Sequence, residues 1–442
     1  MKRLGSLKAY DMAWRQLKWS DNTHLPDIVE GLPRWTPSDS LVMYAKDHRH
    51  GTHLILHIPS KLREVHDAQQ YFTLTSDLIY FSMVPSQDLV IALSNLGMIL
   101  YRIRSLSSAN EAHPLAQNTG IIPVEGHGLQ FLDVFGDYLL DHTSITLATG
   151  VSFSQSVRNW KTGVTELTEA RPSHGSYHRF IDDKHFIYVV NAQSAIGSDP
   201  RDPTCLRVVP FPNRNNSSTH TSYSFVLPDF MQEHLSVLSC TISGHPPDPR
   251  STACFHNDPA DGLLYLHTTV LAGDHQSEFD IDIPVRTLTT YLRAHPPGVV
   301  PWDAWGPAGT RVTQMPTRPR TKGRFVSGMR RVVWPALGDS EPRVTVLDYH
   351  PRRVARARVQ KKDGDGWAVM DGASVSGLAT GSHIGGLETW LPCIATEMPL
   401  PAALAASGVH YGIWMCDDGI VFIEYDPLSE PQTVLNTWVY TI

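Results

Sequence analysis

The sequence predicts an all-β protein, a β-propeller of seven blades preceded by a short helix. Three observations carry that expectation. Apolar runs of strand length recur along the 442 residues, broken by clusters of Pro, Gly, Asn and Asp. They come in two-strand units, in which a polar turn leads into an aliphatic strand and a partner strand ends in a polar or proline turn. Seven such units start about 45 to 80 residues apart, and strand-rich units at a period of about 40 to 50 residues are the mark of propeller blades.

The elements follow in order. Leu4, Leu7, Asp11, Trp14 and Leu17 fall at helical spacing, with Tyr10 and Trp14 one turn apart. Leu7, Tyr10, Trp14 and Leu17 are expected to pack this helix onto the body, and His24-Leu25-Pro26 ends it. The expected division is therefore a helix and linker over residues 1–24 and one propeller over residues 25–442. The first strands of the units are SLVMYA from Ser40, DLVIAL from Asp88, DYLLDH from Asp137, HFIYVV from His185, GLLYLH from Gly262, RRVVW from Arg330 and YGIWM from Tyr411. Their partners are HLILHIP, MILYRIR, QSVRNWKTG, CLRVVPFP, EFDIDIP, RVTVLDYHP and IVFIEYDP. Uneven spacing implies loop insertions, which the proline clusters Pro246–Pro249 and Pro316–Pro319 supply. In VRNWKTG (Val157–Gly163) an aromatic closes a strand and Lys-Thr-Gly turns into the next, much as in WD-type blades. Trp302-Asp303 is the only Trp-Asp dipeptide, and the kelch-like Gly385-Gly386 occurs once, so the propeller diverges from both types. The competing arrangement is a β-sandwich with a second β domain.

VPWDAWGPAGTRV (Val300–Val312) is a local device of another kind. Pro301 suits the first position of a helical turn, Gly306 a left-handed cap, and Pro307 blocks continuation. One isolated turn results, with Trp302 and Trp305 on the same side. Two adjacent indoles carry a large apolar area, so they are expected to plug a seam of the core.

Composition bounds the function. Hydrophobic residues are 41% and charged residues 18%, as in ordinary globular domains. No run approaches the roughly 18 apolar residues of a membrane helix, and the first residues lack the apolar core of a signal peptide. The five cysteines are scattered without a CxxC, which fits reduced thiols. A cytoplasmic or nuclear protein that does not engage the membrane is expected. The net charge of −7 is uneven. Arg311 to Lys362 holds fourteen Lys and Arg against Asp339, Glu341 and Asp348, hence +11, which leaves −18 elsewhere. A basic segment on an acidic body is a candidate docking feature.

Several stretches together resemble the long region that follows the F-box in F-box proteins of mushroom-forming fungi. They are YDMAWRQLKW with THLPDIVEGLP, then VRNWKTG, VPWDAWGPAGTRV, SGMRR and DYHPRRVARA, spread from about Tyr10 to the last strand. The resemblance implies a β-rich substrate-recruiting module of a cullin-type ubiquitin ligase, whose F-box binds a Skp-type adaptor. Only nine residues precede YDMAW, so the chain reads as the substrate-side module, with the adaptor a partner only where an F-box stands upstream.

Candidate chemistry is sparse. His48, His50 and His53 in HRHGTH lack a nearby cysteine, and Asp47 falls on the opposite strand face to His48 and His50, so a turn is expected rather than a metal site. Asp182-Asp183 before His185 reads as a turn entering a strand. Glu278, Asp280 and Asp282 alternate on one strand face. That face could hold calcium but is expected to be solvated. Gly-rich GASVSGLATGSHIGG lacks the Lys-Ser/Thr of a phosphate loop. No nucleophile elbow is present, and no cofactor is expected. The basic run RRVARARVQKK reads as a strand, with Arg352, Val354, Arg356 and Arg358 on one face and Ala355, Ala357 and Val359 on the other. Arg352, Arg353, Arg356, Arg358, Lys361 and Lys362 are its candidate contacts to an acidic or phosphorylated partner. Without interleaved aromatics, nucleic acid is not the expected ligand. Protein recognition is thus the leading function and a propeller-fold hydrolase or lyase the alternative.

Overall fold

The computed structural model describes residues 2–17, 21–25, 36–38, 41–47, 52–57, 68–73, 78–84, 87–94, 97–102, 112–117, 120–123, 129–147, 150–171, 178–190, 203–211, 222–228, 235–242, 261–272, 275–315, 322–324, 326–333, 343–360, 366–376, 387–400, 410–425 and 434–441. Among them lie seven sheets of four or five strands and one two-stranded sheet. The first holds Thr36–Ser38, Leu41–Asp47, Thr52–His57 and Ala68–Thr73. The second holds Leu78–Val84, Leu89–Ser94, Gly97–Arg102 and Ile121–Ile122. The third holds Leu129–Phe135, Tyr138–Leu147, Gly150–Asn159 and Thr165–Arg171. The fourth has His178–Phe180, His185–Val190, Cys205–Pro210 and Tyr223–Val226, with Val299–Val300 added in parallel. In the fifth are Leu235–Ile242, Leu263–Ala272, His275–Pro284 and Arg311–Met315. The sixth runs Val326–Ser327, Arg330–Val333, Arg343–Asp348, Cys393–Pro399 and Trp367–Met370. The seventh runs Lys322–Arg324, His410–Cys416, Gly419–Tyr425, Val434–Thr441 and Asp21–Leu25.

One strand from each sheet touches its neighbours in a circuit. Thr36–Ser38 meets Leu78–Val84, which meets Leu129–Phe135, followed by His178–Phe180, Leu235–Ile242, Val326–Ser327, His410–Cys416 and Thr36–Ser38 again. This radial array is a β-propeller. Asp21–Leu25 pairs antiparallel with Val434–Thr441, Asp21 opposite Thr441, so both ends of the chain share the seventh sheet. The expected boundary after residue 24 falls inside that strand.

All seven strand pairs read from the sequence are antiparallel neighbours. Their runs are aliphatic because each sheet lies between two others, and successive side chains enter opposite seams. Phe186 and Tyr188 join the core shared with the third sheet, while Ile187 and Val189 join that shared with the fifth. Likewise Leu264 and Leu266 face the fourth sheet, and Leu263 and Tyr265 the sixth and seventh. At the VRNWKTG turn, Trp160 is buried against the second sheet and donates Nε1–H to the Gly136 carbonyl at 3.0 Å. Asn159 Oδ1 accepts the amides of Lys161 and Thr162, and Gly163 takes a left-handed φ of 70°.

Among the described residues four helices decorate the sheets: α1 (Lys2–Gln16), α2 (Val285–Ala294), α3 (Trp302–Gly309) and α4 (Pro351–Gln360). Two of them, α2 and α4, were not expected. In α2 the signal was Val285, Leu288 and Leu292 at helical spacing, which packs it beside α3 on the core between the fourth and fifth sheets.

Candidate functional site

Two helices, α1 and α4, stand over a set of largely buried ion pairs. The run expected as a basic strand is α4. His350 caps it, its Nδ1 accepting the amides of Arg352 at 3.2 Å and Arg353 at 3.4 Å. Pro351 takes the first position, where its missing amide costs nothing. Val354 and Ala357, one turn apart, are buried with Trp367 and Ile394 of the sixth sheet, so the remaining face carries the arginines. Three of these already hold carboxylates: Arg353 with Asp348 at 2.7 Å, Arg356 with Asp11 at 3.4 Å and Arg358 with Asp371 at 2.5 Å. Arg352 is exposed. Lys361 and Lys362 lie outside the described residues, as do His48 and His50.

The segment from Arg311 to Lys362 is not a strip in space. Arg311, Arg330 and Arg331 are buried, which removes three of its positive charges from the surface.

Arg330 seats α1. Its guanidinium lies 4.6 Å from the ring of Trp14 and 5.5 Å from that of Tyr10, two cation–π contacts out of water, and it pairs with Asp348 at 3.3 Å. Burial would raise Asp348, but Arg353 and Arg330 hold it below the usual carboxylate range. Tyr10 donates its hydroxyl to the Asp417 carbonyl, and Ser327 binds the Asp417 carboxylate at 2.7 Å. Tyr10, Trp14 and Leu17 are buried as expected from the sequence, but Leu4 and Leu7 are 55% and 39% exposed. Leu7 is thus no packing residue: the body supports only the second half of the helix. Asp11 to Arg356 and Arg15 to Gln360, at 3.4 and 3.2 Å, set α1 and α4 side by side and parallel.

Glu278, Asp280 and Asp282 do not form a solvated face. Asp280 and Asp282 are buried in the seam between the fifth and sixth sheets, where Arg331 binds them at 2.8 and 3.3 Å. Tyr265 donates to Asp280 at 2.9 Å, Tyr349 to Asp282 at 2.5 Å, and the His267 ring meets Asp280 at 2.8 Å. A cation there is supplied by the chain itself. Burial pushes Asp282 up to about 6 against the pull of Arg331, because two carboxylates share one guanidinium in a low dielectric. Burial likewise pushes Cys393 beside them up to about 12, which keeps that thiol protonated and unreactive. Between the second and third sheets Asp141 repeats the pattern, pushed up to about 6 by burial despite Arg158 at 2.8 Å, an arginine that also donates to the Pro123 carbonyl. Asp182 does the expected turn work, accepting the amides of Lys184 and His185 at 2.8 and 2.7 Å.

Trp302 and Trp305 are 8% and 5% exposed and meet edge to face at 5.0 Å. They lie in the core between the fourth and fifth sheets, with Trp305 Nε1–H donated to the Val226 carbonyl at 3.2 Å. The turn around them differs from expectation. Helix α3 continues through Pro307, and Gly306 lies inside it rather than at a left-handed cap. Its final carbonyls find outside donors: Gly306 the Thr310 hydroxyl, Pro307 the Trp390 amide and Gly309 the Thr287 hydroxyl. Tertiary contacts thus carry the last turn past the proline. Gly306 is required for close approach, since a Cβ there would sit 2.4 Å from the Trp302 ring.

Among the described residues no group of three or more His, Cys, Asp and Glu side chains is arranged to hold a metal ion, and no helix is long and apolar enough to cross a membrane.

Neither a protein-family model nor a curated protein sequence matches the chain. Among solved structures it is similar to the CNH domain of AfRom2, at 10% identity over 96% of this chain and 99% of that one, with a TM-score of 0.41. The β-propeller domain of the Trilobed protease from Pyrococcus furiosus matches at 8% identity over 94% of each chain, TM-score 0.42. TolB from Acinetobacter baumannii matches at 8% identity over 78% of this chain and 66% of that one, TM-score 0.34. The architecture itself rests on the strand pairings given above.

Proposed function

We propose that the chain is a protein-recognition module on a seven-bladed propeller, one blade for each of the seven sheets in the circuit, and that it recruits substrates as the post-F-box region of the fungal proteins it resembles would. A single observation carries this reading over the hydrolase or lyase alternative. Among the described residues, several buried acids lie in separate seams between sheets, each against an arginine: Asp280 and Asp282 with Arg331, Asp141 with Arg158, Asp348 with Arg330 and Arg353. Acid–base groups walled in this way cannot reach a substrate. The recognition reading places function on the exterior, where loops and helices stand on a rigid frame.

A ubiquitin-transfer assay tests the proposal. The chain is joined behind an intact F-box and supplied with a Skp-type adaptor, cullin and ubiquitin-charged enzyme in a cell extract. Ubiquitin should then appear on a reproducible set of proteins, and the set should vanish when the propeller is deleted. An unchanged set after deletion removes the receptor role. Hydrolysis or elimination of any member of an ester, peptide and glycoside panel by the chain alone favours the enzyme.

A further inference from the structure

Helices α1 and α4 lie parallel, joined by Asp11 to Arg356 and Arg15 to Gln360. That register fixes what their common outer surface displays. On α1 the row away from the body is Leu4, Lys8 and Met12, spaced four apart. On α4 the face opposite the buried Val354 and Ala357 carries Arg352, Arg356 and Val359. Val359 is 86% and Met12 44% exposed, and Lys8, Arg352 and Arg356 are exposed too. Asp11, half-buried and held by Arg356, and Asp371, held by Arg358, border this surface. The two rows therefore combine exposed apolar side chains with cations, on a protein whose net charge is −7.

We propose that this two-helix face docks an acidic amphipathic helix of a partner protein, laid along the groove between α1 and α4. The inference rests on the protein-recognition reading and names the partner's chemistry. A third helix in such a groove covers Leu4, Met12 and Val359 with its apolar stripe. Its flanking carboxylates meet Lys8, Arg352 and Arg356. In the Arg356–Asp11 pair the arginine side chain is 48% exposed, so Arg356 can meet an incoming carboxylate as well as Asp11. The surface is continuous with the buried seat of Tyr10, Trp14 and Leu17, which gives it a rigid floor. A second copy of the chain is the poorer occupant, because both copies carry excess negative charge and the same cationic face.

Fluorescence anisotropy with a labelled helical peptide of about 16 residues, Leu along one face and Glu on both flanks, tests this on the full chain. Binding at micromolar concentration is expected. It should weaken about tenfold or more in Val359→Glu and in Met12→Glu, each removing apolar contact and adding like charge. Arg352→Glu should weaken it too, with the melting temperature of all three variants unchanged because the side chains are exposed. A matching peptide with Lys in place of Glu should not bind. Equal binding of both peptides, wild-type affinity in the variants, or no binding at about millimolar peptide would overturn the proposal. So would a dimer in sedimentation that Val359→Glu dissolves, since it makes a second copy the occupant. Failure here while the propeller still selects ubiquitin targets would remove this face alone and leave the receptor reading standing.

Discussion

Arg331 shows how far a single residue can be from its sequence neighbourhood. It stands in a basic run, yet its partners Asp280 and Asp282 lie about fifty residues earlier on the adjoining sheet. Alternating acids on a strand look solvated when only the strand is visible, and the neutralising arginine cannot be read from local pattern. Arg331→Met should therefore cost about 3–5 kcal/mol, by leaving two carboxylates buried without their counter-charge; chemical denaturation measures it. The pH dependence of Asp282 has a definite sign. Its folded pKa, about 6, lies above its unfolded value, so the folded state holds the extra proton between about pH 4 and 6. Stability from this group is greatest below that window and falls as pH rises through it, by an amount on the order of 2–3 kcal/mol at most. Subtracting the melting profile of Asp282→Asn from that of the wild type should leave this downward slope, and a flat difference would contradict it. Gly306→Ala should destabilise by about 1–3 kcal/mol through overpacking against Trp302, visible as a lowered melting temperature.

At the scale of elements, the strand pairs were legible because a strand wedged between two sheets is largely apolar on both faces. DLVIAL, HFIYVV and IVFIEYDP announce that burial directly. The tryptophan pair was legible from spacing alone, although Pro307 gave the wrong end to its helix. Helix α4 was misread because Arg352, Val354, Arg356 and Arg358 alternate like a strand. The better signals were His350 and Pro351 as a cap and first residue, and Val354 and Ala357 at helical spacing. The apolar row of α1 was read correctly as a row, but sequence could not say where the supporting surface stops, and it stops short of Leu7. Replacing Trp302 and Trp305 by Ala should cost about 3–5 kcal/mol each. Trp14→Ala should free α1 from Arg330 while leaving the sheets folded, so hydrogen exchange should quicken along residues 10–17 and stay slow in the seventh sheet. Fast exchange throughout that sheet would mean α1 is part of its core.

At the scale of the molecule, the account requires one closed circuit. Wherever side chains are described, the seams between sheets are filled by alternate residues of the same strands, so those sheets are not independent of their neighbours, and the strand Asp21–Leu25 pairs with Val434–Thr441. Any recognition surface on α1 and α4 depends on that closure, because α1 leads directly into the closing strand. The most direct measurement is a thiol cross-link between Asp21→Cys and Thr441→Cys, which face each other across the antiparallel pair. Directly opposed residues there lie about 4.5–5.5 Å apart at Cα, within disulfide reach. Peptide mass spectrometry after mild oxidation should find the two introduced thiols joined within one chain in the native protein, and unjoined in strong denaturant. Finding them separate in the native protein, or joined only between chains, would contradict the closed propeller.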